Sequence, residues 1–444
     1  MAEPIGAQRG TRDILPPEIQ AWQLMETIAR DAFSRYDFAE IRIPAFEATE
    51  LFARGIGGET DIVGKEMYTF TDRGGRQISL RPEGTAGVVR AYLEHKLYAG
   101  PLPLKVWYQG PMFRYERPQK GRQRQFHQIG VEVFGSAEPT ADAEAIALAR
   151  DFYQGLFEEI SHRRPGADLP DLVVQINTLG DDQCRPAHRA ALQEYFRAHA
   201  SAYCEDCQRR METNPLRVLD CKVPSCEALN RAAPTLQPCP DCQAHFDAVR
   251  ELLGAAEVPF EWNPRLVRGL DYYSRTVFEI VPRGASKFGQ STVCAGGRYD
   301  RLVSDLGGPP TPAFGWALGQ ERVANLILAA LDDAIATEAG PPIAIGALAP
   351  EATKPAFRLA LQLRRRGLAV ALLPQAGKPD KHLKAAVRLG AHFLALLGTD
   401  ELARGEVTLK DLDSRQQRSL AADADALAAA VDGHRIPSGS TSRN

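Results

Sequence analysis

Apolar side chains in residues 18–36 recur at helical spacing. Ile19, Trp22, Met25, Ile28, Ala29 and Phe33 share one stripe, which predicts an amphipathic helix. The period then switches. In residues 38–44 Ile41 and Ile43 alternate with Glu40 and Arg42, predicting a strand that Pro44 ends or confines to an edge. Met67-Tyr-Thr-Phe-Thr, the pair Gly74 and Gly75, and Gln77-Ile-Ser-Leu together predict a hairpin. Residues 85–97 and 140–159 read as helices, the second begun by Thr140 with Glu144 nearby. Residues 104–113 and 125–134 read as two strands around a long charged loop, and 172–177 as a buried strand.

Residues 183–257 differ. They hold most of the cysteines, short polar segments and proline breaks, and read as a helical insertion. Regular β-patterning returns from Leu266, residues 289–297 are Gly-rich, and 317–331 predict a helix. The Ala/Gly/Pro stretch 334–342 reads as a linker. From Ile343 apolar strands (343–348, 368–373, 393–397) alternate with helices (353–366, 380–389), the pattern of an α/β layer. Residues 437–444 are Ser-rich and read as a disordered tail. There are no internal repeats.

Bulk properties narrow the picture a little. The chain has 444 residues, 44% hydrophobic and 25% charged, with a net charge of −3. This excludes a blanket basic coat but leaves room for a local basic face on nucleic acid. No apolar run approaches the ~20 residues that span a membrane, and the start of the chain shows neither a secretory nor a transit pattern. A cytoplasmic protein without a membrane partner is expected.

The most informative stretch is Phe113-Arg-Tyr-Glu-Arg-Pro-Gln-Lys-Gly-Arg-Gln-Arg-Gln-Phe-His-Gln128. Its apolar flanks frame a loop carrying Arg114, Arg117, Lys120, Arg122 and Arg124. A guanidinium grips phosphate oxygens in pairs and keeps its charge at any working pH. By composition alone the same run also reads as a solvated hairpin tip. Leu266-Val-Arg-Gly-Leu-Asp-Tyr-Tyr joins an arginine to paired tyrosines, which suits β-core residues as well as ligand contacts. Ala313-Phe-Gly-Trp-Ala-Leu-Gly-Gln-Glu-Arg leads small residues into a helix starting near Arg322, whose planar face can stack on a purine. Cys294-Ala-Gly-Gly-Arg-Tyr permits either close approach to a ligand or a bulge or tight turn. It matches neither a P-loop nor a dinucleotide fingerprint.

Together and in this order, the segments resemble a class II aminoacyl-tRNA synthetase. The helix and strand ending at Pro44 resemble motif 1, the dimer element; residues 113–128 resemble motif 2, and 313–322 motif 3. Arg9-Gly-Thr-Arg-Asp-Ile-Leu-Pro-Pro, Leu266-Val-Arg-Gly-Leu-Asp-Tyr-Tyr and Cys294-Ala-Gly-Gly-Arg-Tyr-Asp narrow the resemblance to histidyl-tRNA synthetases, over residues 9–431. It implies an α+β catalytic domain with an antiparallel class II sheet and a helical insertion, followed by an α/β anticodon-binding domain. The implied boundaries are 1–182 and 258–333 for the catalytic core, 183–257 for the Cys-rich insertion, 342–431 for the anticodon-binding domain and 432–444 for the tail. Arg301, Gln320 and His382 stand where the family commonly has Gly, Leu and Ser.

The site residues follow from the resemblance. Glu83 and Thr85, the family's acid-x-Thr stretch, lie near the histidine. Arg114 holds the ATP α-phosphate and the histidine carboxylate, Arg122 reaches the terminal phosphates, and Arg322 stacks on adenine. Gln128 and Glu132 contact the substrate amine and the lower pocket. Arg268 is the histidine-specific arginine at the α-phosphate opposite Arg114, so these two form the implied catalytic pair. Tyr272 and Tyr273 meet the imidazole side, and Tyr299 lines the same pocket. The implied reaction joins L-histidine to tRNA(His) with ATP, through a histidyl-adenylate, releasing AMP and pyrophosphate. A carboxylate nucleophile is already ionised at neutral pH, so the work is positioning and charge stabilisation at phosphoryl oxygens. None of these residues is assigned a metal; Mg2+ is expected on the outer phosphates, and a homodimer is implied. The alternative is the regulatory subunit of ATP phosphoribosyltransferase, a histidine-binding paralogue. It typically lacks the anticodon domain and the histidine-specific motifs, both of which read as present here.

Eight cysteines are few for a disulfide scaffold, and six of them fall between Cys204 and Cys242. Cys204-x-x-Cys207 and Cys239-x-x-Cys242 have the spacing of two knuckles that suit one tetrahedral zinc, with Cys221 and Cys226 between them. The family resemblance implies no metal requirement there, and reduced cysteines in a helical insertion are the other reading. Arg358, Arg364, Arg365, Arg366, Lys378, Lys381 and Lys384 give the last domain local positive charge.

Overall fold

The structure, a computed structural model, describes residues 5–57, 60–117, 122–283, 292–332 and 342–431. It divides into two compact units, residues 1–332 and 333–444. Lys120, the tail 432–444 and the linker residues 334–341 lie outside the described residues. No helix of the described residues is long and apolar enough to cross a membrane.

The strands of the first unit are β1 (Ala39–Glu40), β2 (Phe46–Ala48), β3 (Thr69–Thr71), β4 (Gln77–Leu80), β5 (Leu104–Phe113), β6 (Gln125–Phe134), β7 (Leu172–Thr178), β8 (Phe260–Trp262), β9 (Ser274–Pro282), β10 (Cys294–Arg298) and β11 (Ala313–Gly319). The large sheet runs β1-β5-β6-β11-β10-β9-β7-β8, and β2-β4-β3 form a small one. Neighbours in the large sheet are antiparallel except for the edge pairs β1/β5 and β7/β8. The predicted hairpin is β3/β4, its turn held by Asp72 Oδ1, which accepts from the backbone N–H of Gly74 and Arg76. The helix Glu18–Arg35 buries Trp22, Met25, Ala29 and Phe33 of the predicted stripe. The helix Pro139–Arg163 buries Ala141, Ala145, Ile146, Ala149, Phe152 and Leu156; its small residues let Trp316 on β11 reach the Ala145 carbonyl at 2.7 Å.

Three predicted elements come out differently. The strand over 38–44 shrinks to β1, extended by one bond from Ile41 N–H to the Trp107 carbonyl. Beyond it the carbonyls of Ile43 and Pro44 turn away from the sheet to accept from the Arg81 guanidinium at 2.8 and 3.2 Å. Residues 266–273 form a loop, with regular β-structure resuming at Ser274. Residues 317–319 belong to β11, because their alanine and glycine positions let that strand sit between β6 and β10; the helix starts at Gln320.

The insertion is helical: Arg185–Ala198, Glu205–Thr213, Pro215–Leu219, Pro224–Asn230 and Pro240–Ala255. Its two CxxC pairs do not share one tetrahedron. Cys204 and Cys207 meet Cys221 and Cys226, whereas Cys239 and Cys242 meet Asp181 and Cys184. The first set sits in the insertion's own small core with Tyr203, Met211 and Val218. The second opens the helix that returns the chain to the main sheet, and so lies apart from it.

In the second unit β12 (Ile343–Ala347), β13 (Val370–Leu373), β14 (Phe393–Leu397), β15 (Glu406–Asp411) and β16 (Gln417–Ala421) form one sheet in the order β13-β12-β14-β15-β16. The first three are parallel, as the α/β pattern predicts, and the last two extend the sheet antiparallel. Of its basic residues, Arg364 donates to the Val370 carbonyl and Arg366 pairs with Asp425. His382 is buried against Gly346, with Nε2 2.8 Å from the Ala347 carbonyl.

Candidate active site

A cavity of about 1210 Å³ opens in the first unit. Its wall brings together Glu83, Thr85, Arg114, Arg122, Gln128, Arg268, Tyr272, Tyr273 and Arg322. Glu132 and Tyr299, also predicted, are not on the wall; they lie fully buried beside Thr85.

The basic side is built by strand ends. Arg114 follows β5, and its N–H bonds the Arg124 carbonyl at 2.8 Å, closing the base of the charged loop. Its Nε donates to the Pro82 carbonyl at 2.9 Å, and its guanidinium lies 5.3 Å from the centre of the Phe126 ring. Arg122 pairs with Glu116 at 3.2 Å and remains half exposed. Arg322, in the first turn after β11, donates to the Thr292 carbonyl. Burial, and then Arg122, pull its pKa down. Arg268 pairs with Glu279 on β9 and lies 5.7 Å from the centre of the Tyr273 ring. Burial opposes its charge, but Tyr273 and Glu279 outweigh it and hold the guanidinium above its usual pKa. Arg268 Nε and Gln128 Oε1 are buried without a hydrogen-bond partner. Such an atom costs about 1–3 kcal/mol, and both residues line the cavity.

The acidic side is deeper. Glu83 accepts from the backbone N–H of Thr85 at 2.6 Å and Ala86 at 2.9 Å, and thereby caps the helix Thr85–Glu94. Glu132, on β6, accepts from Thr85 Oγ1 at 2.7 Å and from the Tyr299 hydroxyl. Gly315 on the neighbouring β11 makes room for it: a Cβ there would lie 1.8 Å from Glu132 Oε2. Desolvation pushes the Glu132 carboxyl up to about 8, against the hydroxyls of Tyr299 and Thr85, which favour its charge. Glu83 is also shifted up by burial. A raised folded-state pKa stabilises the fold fully below the unfolded value near 4.5, and this contribution is lost as pH rises towards and through about 8. Glu132→Gln is therefore expected to flatten the decline of stability across that window, measured as urea midpoints from pH 5 to 9. An unchanged pH slope would contradict the assignment.

Sequence reasoning missed three parts of this wall. Glu279, which fixes Arg268, is a lone acid inside the apolar run of β9, and that contrast was its signal. Arg217, Asp220 and Lys222 come from the insertion, which nothing in the local pattern tied to the cavity. Arg12 lies in the quoted Arg9-Gly-Thr-Arg motif but had no role. In the structure it lines the cavity and pairs with Glu18, while the Gly10 carbonyl accepts from Arg124 N–H at 2.8 Å. Gly10 has φ +86°, and a Cβ there would meet Arg124 Cγ at 2.6 Å. This motif thus braces the base of the charged loop.

Comparison with known proteins agrees with the geometry. A family model for histidyl-tRNA synthetase matches residues 10–323, and one for an anticodon binding domain matches 342–429. The chain is 47% identical to a histidine–tRNA ligase of Desulforamulus reducens over 416 residues, covering 93% of this chain and 96% of that one. It is 47% identical to the histidine–tRNA ligase of Anaeromyxobacter dehalogenans over 431 residues, covering 97% and 100%. The crystal structure of apo S. aureus histidyl-tRNA synthetase superposes with a TM-score of 0.75 at 34% identity, covering 97% of this chain and 99% of that one. By these matches, and with the implied arginines gathered on one cavity of the shared fold, the chain belongs to the histidyl-tRNA synthetase family of class II aminoacyl-tRNA synthetases.

Proposed function

We propose that this chain is a histidine–tRNA ligase. It joins L-histidine to tRNA(His) with ATP, through a histidyl-adenylate. The observation that carries this reading is one cavity that gathers four arginines, Arg114, Arg122, Arg268 and Arg322, with Glu83 on the same wall and Glu132 buried behind Thr85. The arginines suit a triphosphate. The buried carboxylates, with Gln128 and the tyrosines Tyr272 and Tyr273, suit an amino acid that presents an ammonium and an imidazole N–H.

In the first step the histidine carboxylate attacks the α-phosphorus and pyrophosphate leaves. Arg114 and Arg268 take the charge that builds on the α-phosphate oxygens, and Arg122 steadies the departing phosphates. Arg322 presents its guanidinium face to the adenine ring. In the second step a ribose hydroxyl of the tRNA attacks the adenylate carbonyl and AMP leaves. Among the described residues no three metal-ligating side chains converge in the cavity. Magnesium on the outer phosphates would be held by phosphate oxygens, water and at most one or two of the carboxylates on the cavity wall, and would supply charge neutralisation there.

The second unit takes the tRNA anticodon in this reading. We also propose a homodimer. Phe46, Ala48, Phe70, Ile78 and Leu80 share one face of the small sheet by their register, and Phe46 and Phe70 are 55% and 47% exposed there. A cytoplasmic location fits these substrates and is part of the same proposal.

The deciding experiment is ATP–pyrophosphate exchange with each of the twenty amino acids, on protein whose mass in solution is read by light scattering. Exchange with histidine alone, at dimer mass, is expected. Histidine binding without exchange would favour the regulatory paralogue and leave the arginines without a catalytic role; a monomeric active enzyme would remove the dimer.

A further inference from the structure

The sulfur atoms of Cys204, Cys207, Cys221 and Cys226 all lie within 4.8 Å of one another. Cys204 and Cys221 are 3.9 Å apart, Sγ to Sγ. A disulfide requires roughly 2.05 Å, and all eight cysteines are free thiols. Four thiolates at about 2.3 Å from a tetrahedral zinc stand roughly 3.8 Å from one another; the Cys204–Cys221 separation matches this, and the other sulfurs lie within 4.8 Å. The Cys204 backbone N–H donates to Cys226 Sγ, 3.3 Å away, which ties two of the four ligands together. We propose that these four cysteines bind one structural zinc ion, and that the ion holds the insertion's face of the active-site cavity.

The surroundings give the ion a task. The insertion has a small core of its own, in which Cys207 and Cys226 are fully buried beside Tyr203, Met211 and Val218. Cores of this size rarely hold a defined structure without a staple. Cys221 stands between Asp220 and Lys222, and both of those line the cavity. The same stretch reaches the catalytic core through Asn214, which donates to Asp271 Oδ1 at 2.7 Å, and through Arg217, 3.5 Å from Asp61. A zinc at the four sulfurs fixes Cys221 and with it the wall on either side.

A second group carries a second site independently. Asp181, Cys184, Cys239 and Cys242 also have ligand atoms within 4.8 Å of one another. Cys184 and Cys242 are 3.9 Å apart, and Cys239 Sγ lies 3.7 Å from Asp181 Oδ1. Three thiolates and a carboxylate are a zinc donor set. Asp181 and Cys184 lie where the chain leaves β7 for the insertion, and Cys239 and Cys242 where it returns. An ion here clips the neck of the insertion, as the first holds its centre.

The test is the metal content of the full-length, untagged chain by mass spectrometry. Two zinc ions per chain are expected, one for each group. Cys221→Ser with Cys226→Ser should lose one, and Cys184→Ser with Cys242→Ser the other. Exchange-active protein free of zinc overturns both sites, and iron in place of zinc overturns the assignment of the ion. A zinc content that the first pair of substitutions leaves at the wild-type value overturns the inner site; one that the second pair leaves at the wild-type value overturns the neck site. Where a variant does not fold, cobalt replaces it as the probe: apo wild type titrated with Co2+ should develop tetrahedral visible bands and thiolate-to-cobalt charge transfer. Their absence counts against the sites.

Discussion

Replacing Arg268 by alanine is expected to lower the rate of histidyl-adenylate formation about 10²–10³-fold, the usual loss when one preorganised donor to a developing oxyanion is removed. The reason lies in how the side chain is held. Glu279 fixes one end of the guanidinium, the Tyr273 ring lies alongside, and Nε is buried without a partner. A donor fixed in advance needs no reorganisation when charge appears on a phosphate oxygen. Lysine at 268 keeps the charge but loses the planar fork, so it should recover little. Single-turnover adenylate formation with a circular dichroism control separates catalysis from folding. A near-wild-type rate for Arg268→Ala would remove Arg268 from the chemistry, and an unfolded variant would reassign it to structure. Glu279→Gln should lose less and mainly weaken positioning, because Arg268 itself stays in place.

The proposed site residues were legible because the motifs that carry the family resemblance are short runs. Arg114, Arg122 and Gln128 come from one hairpin, Arg268 to Tyr273 from one loop, and Arg322 from one turn. By composition each run keeps a second reading, a solvated hairpin tip or β-core residues, and it is their order along the chain that carries the resemblance. What stayed hidden depended on pairing between distant segments. The loop 266–273 looked like a strand because its apolar and aromatic residues pack into the core around the cavity; Leu266, Tyr272 and Tyr273 are buried without joining a ladder. The cysteines show the same limit. Spacing identified two CxxC units, but which other ligands each would meet was decided by how the insertion's helices fold back, and Cys184 lies outside the pattern altogether. The second unit was clear where strands and helices alternate. Its closing pair, β15 and β16, was not: Val407 and Leu409 alternate with polar residues for only two apolar positions, and Gln417–Ala421 has a single large apolar residue, Leu420.

Asp142→Ala is expected to destabilise the first unit by about 3–5 kcal/mol, the usual cost of stranding a buried charge. Asp142 and Arg298 are both 0% exposed, so neither can turn to water when the other is removed. Arg298 would retain Asp300 at 3.0 Å and the carbonyls of Ser136 and Glu138, which offset only part of the loss. Asp142 also accepts from or faces His245 Nε2 at 2.8 Å. One carboxylate thus ties three elements: the helix Pro139–Arg163, β10, and the helix Pro240–Ala255 of the insertion. Burial alone would raise its pKa, but Arg298 and His245 outweigh it and hold it below the ordinary carboxylate value. The sign follows: this stability is present above the unfolded pKa and is lost as pH falls through the lower folded one. Asp142→Ala should therefore lower the urea midpoint most near neutrality and least in acid. Asp142→Leu combined with Arg298→Met, which removes both charges and refills the space, should regain much of the loss. A single variant within 1 kcal/mol of wild type would mean that water or Asp300 already satisfies Arg298, and the three elements would then be joined by apolar packing rather than by this ion pair.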